Sequence, residues 1–147
     1  MIKEWALENV EAILPFTQLI DGLQDPKFLE NSETKKFVLV HGEGFGAWCW
    51  YKTVALLEEV GLIPTAIDLL GSEIDRTDID SISTLADYAK PLIDYLQNLP
   101  EEEKFFLEVI LVGHSCGGAI ISYALECCPK KIQKAVFVHC YNGFGWA

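Results

Sequence analysis

The stretch VILVGHSCGGA, residues 109–119, decides the fold of this chain. Its first four residues are apolar and predict a buried strand, and the residues from Ser115 to about Cys127 predict a helix. Ser115 itself lies in the pattern G-x-S-x-G. A sharp strand-to-helix turn exposes a serine in this pattern, and the flanking glycines remove side chains that would clash there. The stretch therefore predicts a serine nucleophile at the end of a strand.

Strand and helix patterns alternate on both sides of this stretch. We predict strands at 37–42, 64–70, 109–112 and 134–140, and helices at 47–60, 85–99 and 115–127. Gly61 is expected to end the first helix, Thr84 and Asp87 to cap the second, and Pro91 to kink or restart it. This alternation predicts an α/β fold with a mostly parallel sheet of about four strands. Ligands bind beyond the carboxyl ends of such strands, where the sequence places His41, Asp68, Ser115 and His139.

Two backbone N–H groups are predicted to stabilise the oxyanion that forms when Ser115 attacks a carbonyl. The first belongs to Cys116, at the positive end of the helix dipole. The second comes from the loop HGEGFG after the first strand, and we assign it to Glu43. His41 begins that loop, and we interpret it either as part of the site or as a hydrogen-bonded structural histidine.

The same loop permits a second interpretation, a dinucleotide-binding turn. Residues 42–47, GEGFGA, follow a strand and open a helix, and Asp68 lies about 20 residues further on, at the end of the next strand. Glycines allow close approach of a pyrophosphate, and a carboxylate binds the ribose hydroxyls. Against this, Trp48 crowds the first helical turn and the serine turn stays unexplained.

The composition limits the classes of partner. Among 147 residues, 22 are acidic and 11 are basic, so the net charge is −11 at pH 7. This charge disfavours nucleic acid and anionic membrane surfaces as partners. The five cysteines have no disulfide or metal-ligand spacing. We interpret them as small buried residues of a reducing compartment and predict no metal site.

Residues 1–35 are predicted to form an N-terminal extension and linker ahead of a domain at 36–147. A short amphipathic helix fits 2–14, and turn residues and charges dominate 15–35. Acidic residues from Glu4 to Glu11 interrupt any signal-peptide core, and no run reaches the roughly 18 apolar residues of a membrane helix. We therefore expect an untargeted chain in the cytoplasm.

Four segments in order resemble the plant methylesterase family of α/β-hydrolases, which includes salicylate-binding and methyl jasmonate esterases and hydroxynitrile lyases. They are FVLVHGEGFGAWCWYK, TAIDLLGSEIDR, YAKPLIDYL and VILVGHSCGGA, and the resemblance spans about residues 23–139. It implies that residues 36–147 are the N-terminal half of an α/β-hydrolase domain, with strands in the spatial order 64–69, 37–40, 109–112, 134–140. It also implies hydrolysis of the methyl esters of salicylate, jasmonate or indole-acetate, without a cofactor. The most similar subgroup implies the chloroplast as an alternative location.

The resemblance assigns roles to individual positions. Ser115 matches the nucleophile, and the backbone N–H groups of Glu43 and Cys116 match the oxyanion hole. Substrate contacts are implied for three residues, His41, Gly42 and His114. The lyase branch has threonine and glutamate in place of Gly42 and His114, so the resemblance favours an esterase over a lyase.

The sequence departs from the family pattern in two places. Four residues, Phe105–Glu108, precede the serine strand where the family has none, and we expect them to lengthen the connection. The fold's chain order is serine, acid, histidine, but after Ser115 the acidic residue is Glu126 and the histidine is His139. The triad acid and base are therefore expected to be missing from this chain and its turnover impaired. His139 is the candidate surrogate base.

Alternatives to an active esterase stay open at this point. The chain is interpreted alternatively as a non-catalytic fragment or as a module that binds a small carboxylate. The strand at 134–140 is apolar and is expected to form an unpaired edge of the sheet. Such an edge predicts self-association.

Overall fold

A computed structural model describes residues 35–72, 74–102, 105–106 and 108–140. The predicted helix at 2–14 and nearly all of the predicted linker lie outside these residues. The strands are β1 (Lys36–Val40), β2 (Ile63–Ile67), β3 (Glu101–Glu102), β4 (Phe105–Phe106), β5 (Val109–His114) and β6 (Ile132–Val138). The helices are α1 (Tyr51–Glu59), α2 (Leu85–Gln97) and α3 (Gly117–Cys127), with 3-10 turns at Ala47–Trp50, Ile79–Ser81 and Pro129–Lys131.

Four of these strands form one parallel sheet in the spatial order β2-β1-β5-β6, which confirms the predicted order. Leu39 of β1 lies opposite Ala66 of β2 and Val112 of β5, and Val112 lies opposite Val136 of β6. Because β1 and β5 are neighbours at the centre of the sheet, their carboxyl ends meet. The loop after β1 therefore lies beside Ser115.

Helices cover both faces of this sheet. Val38 and Val40 belong to a core cluster with α2 and α3, whereas Phe37 and Leu39 pack with Trp50 on the α1 face. A strand buried on both faces has a continuous apolar sequence rather than an alternating one. Burial on both faces therefore explains why the sequences of β1 and β5 are continuously apolar.

The ends of α1 and α2 follow the sequence signals. Gly61 has a φ of +82°, and its N–H donates to the Glu58 carbonyl at 3.0 Å, as expected of a glycine just after a helix. At the start of α2, the Asp87 N–H donates to Thr84 Oγ1 at 3.1 Å, and the Thr84 N–H donates to Asp87 Oδ2 at 3.0 Å. This is the predicted capping box.

Several predicted boundaries were wrong. The helix predicted from Ala47 begins with a 3-10 turn and becomes α-helical at Tyr51. Pro91 does not restart α2, which runs continuously through it. Burial of one face of α2 outweighs the hydrogen bond that proline cannot donate to the Asp87 carbonyl. Strands β2 and β6 both end before their predicted last residues, and β6 ends at Val138.

A separate two-stranded hairpin lies between α2 and β5. Strands β3 and β4 pair with each other in antiparallel fashion, Glu101 opposite Phe106 and Glu102 opposite Phe105. Strand β5 begins at Val109. The extra residues thus lengthen the connection without shifting the serine strand, as expected.

We expect deletion of residues 105–108 to leave the melting temperature unchanged or to raise it. In the described part of the chain β4 pairs with β3 alone, so the deletion removes no pairing from the four-stranded sheet. A shorter connection also costs less entropy to close. Scanning calorimetry of the intact and deleted chains measures the difference. A marked fall in melting temperature would show instead that the segment packs in the core.

The five cysteines are free thiols. Cys128 is buried as expected, whereas Cys49, Cys116 and Cys140 are only partly buried. The prediction was wrong for Cys127, which is exposed at the last position of α3. Within the described residues, no three potential metal ligands come together. No helix in this part of the chain is both long and apolar enough to cross a membrane.

Candidate active site

Ser115 occupies a strained turn between β5 and α3. Its φ is +53°, in the left-handed region that residues other than glycine rarely adopt. The Ser115 N–H donates to the Val138 carbonyl at 3.0 Å, and the Ser115 carbonyl accepts from the Gly118 N–H at 3.0 Å. Helix α3 consequently begins at Gly117, two residues after its predicted start. Strain that the surrounding structure holds in place is concentrated at functional sites.

The glycines on either side of the serine have no room for a side chain. A Cβ on Gly113 would lie 2.8 Å from the carbonyl oxygen of Gly117. A Cβ on Gly117 would lie 2.6 Å from the carbonyl oxygen of Val40 and 2.7 Å from that of His41. Helix α3 therefore packs directly on the backbone at the end of β1, and this contact requires glycine in the G-x-S-x-G pattern.

The loop after β1 lies against the serine turn. A Cβ on Gly42 would lie 3.0 Å from the Ser115 Cβ and 3.1 Å from His114 Nδ1. Burial raises the pKa of the Cys116 thiol, and the backbone N–H of Glu43, which faces this sulfur, opposes the shift. The structure thus brings Glu43 and Cys116, the residues of the two predicted oxyanion donors, together beside Ser115.

His41 is fully buried and joins two loops. Its Nε2 accepts a hydrogen bond from the Leu69 N–H at 3.1 Å, and its Nδ1 lies 2.8 Å from the Gly42 carbonyl oxygen. Because Nε2 accepts, the ring proton is on Nδ1 and is donated to Gly42. Both ring nitrogens are engaged by backbone. This geometry supports the structural interpretation of His41 over a substrate contact.

The Asp68 carboxylate forms a hydrogen bond with the loop that would have to bind a dinucleotide. Its Oδ1 accepts a hydrogen bond from the Ala47 N–H at 2.7 Å. Ala47 opens the 3-10 turn after the glycine loop, so its N–H, which would face a pyrophosphate, is already bonded to one of the two oxygens of the carboxylate that would bind a ribose. This contact counts against the dinucleotide interpretation.

A cavity of about 650 Å³ lies beside Glu43 and Cys116. Its wall includes Glu43, Cys116, Phe45, Leu70, Ile79 and Tyr88. Ser115 precedes Cys116 and lies just outside this wall. The volume is that of a site for a small organic molecule.

Tyr88 is a cavity residue that the sequence patterns did not single out. Helical spacing assigned it to the apolar stripe of α2, but its hydroxyl interacts with the Cys116 sulfur. Burial raises the pKa of Tyr88 to about 12, and negative charge at Cys116 and Glu43 adds to the shift. Tyr88 therefore stays protonated at neutral pH. The one feature of the sequence that could have identified Tyr88 is a hydroxyl within an apolar stripe. Tyr95 has the same feature but lies elsewhere, and its hydroxyl donates to Thr65 Oγ1.

Two imidazoles lie near the serine turn. His114 is half-buried, and burial and the charge of His139 lower its pKa. His139 is exposed directly after β6, with a φ of +46°. Among the described residues, neither imidazole forms a hydrogen bond with a carboxylate. Glu126 is exposed near the far end of α3. The described residues therefore do not form a serine–histidine–carboxylate triad.

The sequence model of the alpha/beta hydrolase family matches residues 37–146, which is well over half of the chain. The chain belongs to the alpha/beta hydrolase family. The matched segment begins in β1 and includes the serine turn. The fold predicted from the alternating strands and helices is confirmed.

Curated relatives of this chain include plant proteins. It is 64% identical over 115 residues to a chloroplastic protein of Arabidopsis thaliana, provisionally named methylesterase 12. The matched segment is 78% of this chain and 32% of the relative. It is 52% identical over 104 residues to norfluorocurarine synthase 1 of Strychnos nux-vomica, covering 71% of this chain and 38% of that protein. The chain spans about a third of the length of the Arabidopsis methylesterase-like relatives that it matches.

Solved structures of esterases and of a synthase share this fold. Polyneuridine aldehyde esterase matches with a TM-score of 0.68 and 42% identity, over 74% of this chain and 41% of that one. Tomato methylketone synthase I matches with a TM-score of 0.65 and 44% identity, over 74% and 41% of the respective chains. Because proteins with different named activities match equally well, similarity shows the family of this hydrolase chain and leaves its reaction to be proposed.

Proposed function

We propose that this protein hydrolyses small carboxylic esters, methyl esters in particular, through a covalent acyl-enzyme on Ser115. The observation that carries the proposal is the φ of +53° at Ser115. Such a turn between a strand and a helix presents a serine hydroxyl at the edge of the sheet. Relatives named as methylesterases support an ester as the substrate class.

In this reaction Ser115 Oγ attacks the ester carbonyl carbon and gives its proton to a base. The carbonyl oxygen becomes an oxyanion, which the backbone N–H groups of Glu43 and Cys116 stabilise. Collapse of this intermediate expels methanol and leaves the acyl group on Ser115, and water then releases the acid. The cavity beside Cys116 is where we place the acid part of the ester.

The reaction also needs a general base and an acidic residue that orients it. In this fold they follow the nucleophile along the chain, and the chain spans about a third of its relatives' length. We propose that residues outside the described part supply them. His139 is a weaker surrogate, because it is exposed and has no carboxylate partner among the described residues.

Fluorophosphonate labelling tests the nucleophile separately from turnover. We expect the chain to take up one phosphonyl group, on Ser115, but only slowly, because backbone N–H donors would stabilise the phosphoryl oxygen while no described imidazole is oriented to take the serine proton. Intact-mass and peptide mass spectrometry locate the label, and Ser115→Ala should stay unlabelled. Ser122→Ala is the matched control, since Ser122 lies in α3, seven residues after Ser115, and its hydroxyl donates to the Gly118 carbonyl. Equal labelling of Ser115→Ala would contradict the proposal.

Binding of a small carboxylate without turnover is the second candidate function. It is favoured by the lack, among the described residues, of a histidine–carboxylate pair next to Ser115. Tighter binding of a free acid than of its methyl ester would support this candidate over the esterase.

Self-association through β6 is a further part of the proposal. In the described part of the chain β6 pairs with β5 along one side alone. An unpaired apolar edge strand is a template for pairing with another chain. We expect light scattering at tens of micromolar protein to detect dimers or larger species. A clean monomer would count against pairing through this edge.

For location, we propose the cytoplasm for the chain as given, with the chloroplast as the alternative. The alternative is supported by the chloroplastic relative at 64% identity. A fluorescent fusion at the carboxyl end, expressed in plant cells, distinguishes the two compartments.

A further inference from the structure

Glu43 places a negative charge on the wall of the cavity beside the serine turn. It is exposed in the loop after β1, and the apolar side chains of Leu70 and Ile79 line the same cavity. No lysine or arginine is found among the described residues that line it. The net charge of −11 adds a field of the same sign.

The charge of Glu43 changes the pKa of two groups in the cavity wall, Cys116 and Tyr88. Burial is the largest cause of the raised pKa of the Cys116 thiol, and the charge of Glu43 raises it further. For Tyr88, burial and then the charge of Cys116 are the larger causes, and Glu43 acts in the same direction. In both cases the side-chain charge of Glu43 makes a new negative charge in the cavity less favourable, although at Cys116 the Glu43 backbone N–H has a larger effect in the opposite direction. The same interaction disfavours an anionic ligand and favours a cationic one.

Aromatic rings give the cavity a second feature that suits a cation. Phe45 and Tyr88 line the cavity, and the Phe45 ring lies 6.1 Å from that of Trp48. Phe45 is 42% exposed, so part of its ring is accessible to a ligand in the cavity. The face of an aromatic ring attracts an ammonium group.

We propose that this cavity selects esters that carry a protonated amine and rejects anionic ligands, including the carboxylate that hydrolysis releases. The inference rests on the ester hydrolysis proposed above and names the charge class of its substrate. Because Glu43 is exposed, its effect is modest, and we expect about a fivefold preference for a cationic over a neutral ligand. Rejection of the carboxylate also favours release of the product.

Three para-substituted methyl benzoates of similar size test the proposal by binding alone. They carry an aminomethyl group (cationic), a hydroxymethyl group (neutral) and a carboxylate (anionic). We expect NMR titration of the chain at low salt to give dissociation constants that rise in that order, about fivefold between the first two. Raising the ionic strength to about 0.2 M should compress the differences, since salt screens exposed charges. Equal binding of the three ligands, or no binding of any, would overturn the proposal.

Variants then assign the preference to Glu43. Glu43→Gln keeps the backbone N–H and the side-chain size but removes the charge, so the three ligands should bind within about twofold of one another. Glu43→Lys should reverse the order. Glu126→Gln is the matched control, because it changes the net charge equally but lies ten residues along α3 from Cys116, about 15 Å away and outside the cavity wall. A preference that survives Glu43→Gln, or disappears in Glu126→Gln, would show that Glu43 is not its source.

The two proposals fail separately. A charge preference without phosphonate labelling of Ser115 would leave the cation selectivity standing and remove ester hydrolysis. Labelling of Ser115 without a charge preference would leave ester hydrolysis standing and remove the cation selectivity. The salt dependence of the unmodified chain tests the charge effect even where a variant does not fold.

Discussion

We expect the 147-residue chain to hydrolyse a small neutral methyl ester about a million-fold more slowly than an esterase with a complete triad. Ser115→Ala should leave that rate unchanged. A serine hydroxyl is a weak nucleophile until a base takes its proton. Among the described residues, His114 and His139 have no carboxylate partner, so neither imidazole is oriented to do so. The oxyanion donors alone then leave a small residual rate.

The measurement is the initial rate of methanol release by the chain, by Ser115→Ala and by a full-length relative under the same conditions. A rate clearly higher than that of Ser115→Ala would show that a base acts within this chain. His139→Ala would then have to abolish the difference. If it did not, the proton acceptor would belong to a second copy of the chain, and dilution should reduce the rate.

Gly117→Ala is expected to cost about 3 kcal/mol or more in free energy of unfolding, and so to lower the melting temperature by about 10 °C. The new Cβ would lie 2.6 Å from the Val40 carbonyl oxygen and 2.7 Å from that of His41. Both are backbone atoms at the end of β1, so no side-chain rotation relieves the overlap. Helix α3 would have to move away from the sheet, which would also displace Ser115.

Urea denaturation measures the free energy of unfolding of Gly117→Ala and of Gly61→Ala. Comparing the two losses distinguishes the steric clash from the conformational cost of replacing a glycine. Gly61 has a φ of +82° and nothing within 4 Å of an added Cβ. Its replacement should cost about 1 kcal/mol through conformation alone. An equal or smaller loss for Gly117→Ala would contradict close packing of α3 on β1.

The fold was predictable because its signals are local. The apolar run at Val109–Val112, the helical spacing from Leu85 and the capping pair Thr84–Asp87 each lie within one element. The strand order came from a family resemblance, and the structure confirms it. Pro91 misled the prediction, since a local rule against proline in a helix ignores the buried face that holds α2 together.

The site was predictable in part. The glycine spacing around Ser115 identified the strained turn, and the assignment of Glu43 as the second oxyanion donor stays a prediction, although the structure places Glu43 beside Cys116. Tyr88 was assigned to the core, because helical periodicity shows which face is apolar and does not show where that face meets another loop. His41 and Asp68 looked available for ligands by their position after strands, but backbone N–H groups engage both.

The sequence by itself determined the α/β architecture, the serine turn and the acidic charge, because each follows from residue types at short spacing. Tertiary structure alone decided which polar groups remain free to act on a ligand. The bonds Asp68–Ala47 and His41–Leu69 join residues 21 and 28 positions apart. The meeting of Glu43, Tyr88 and Cys116 around one cavity likewise joins three separate segments. Such contacts depend on which strands are neighbours in the sheet, and no pattern within a single element encodes that adjacency.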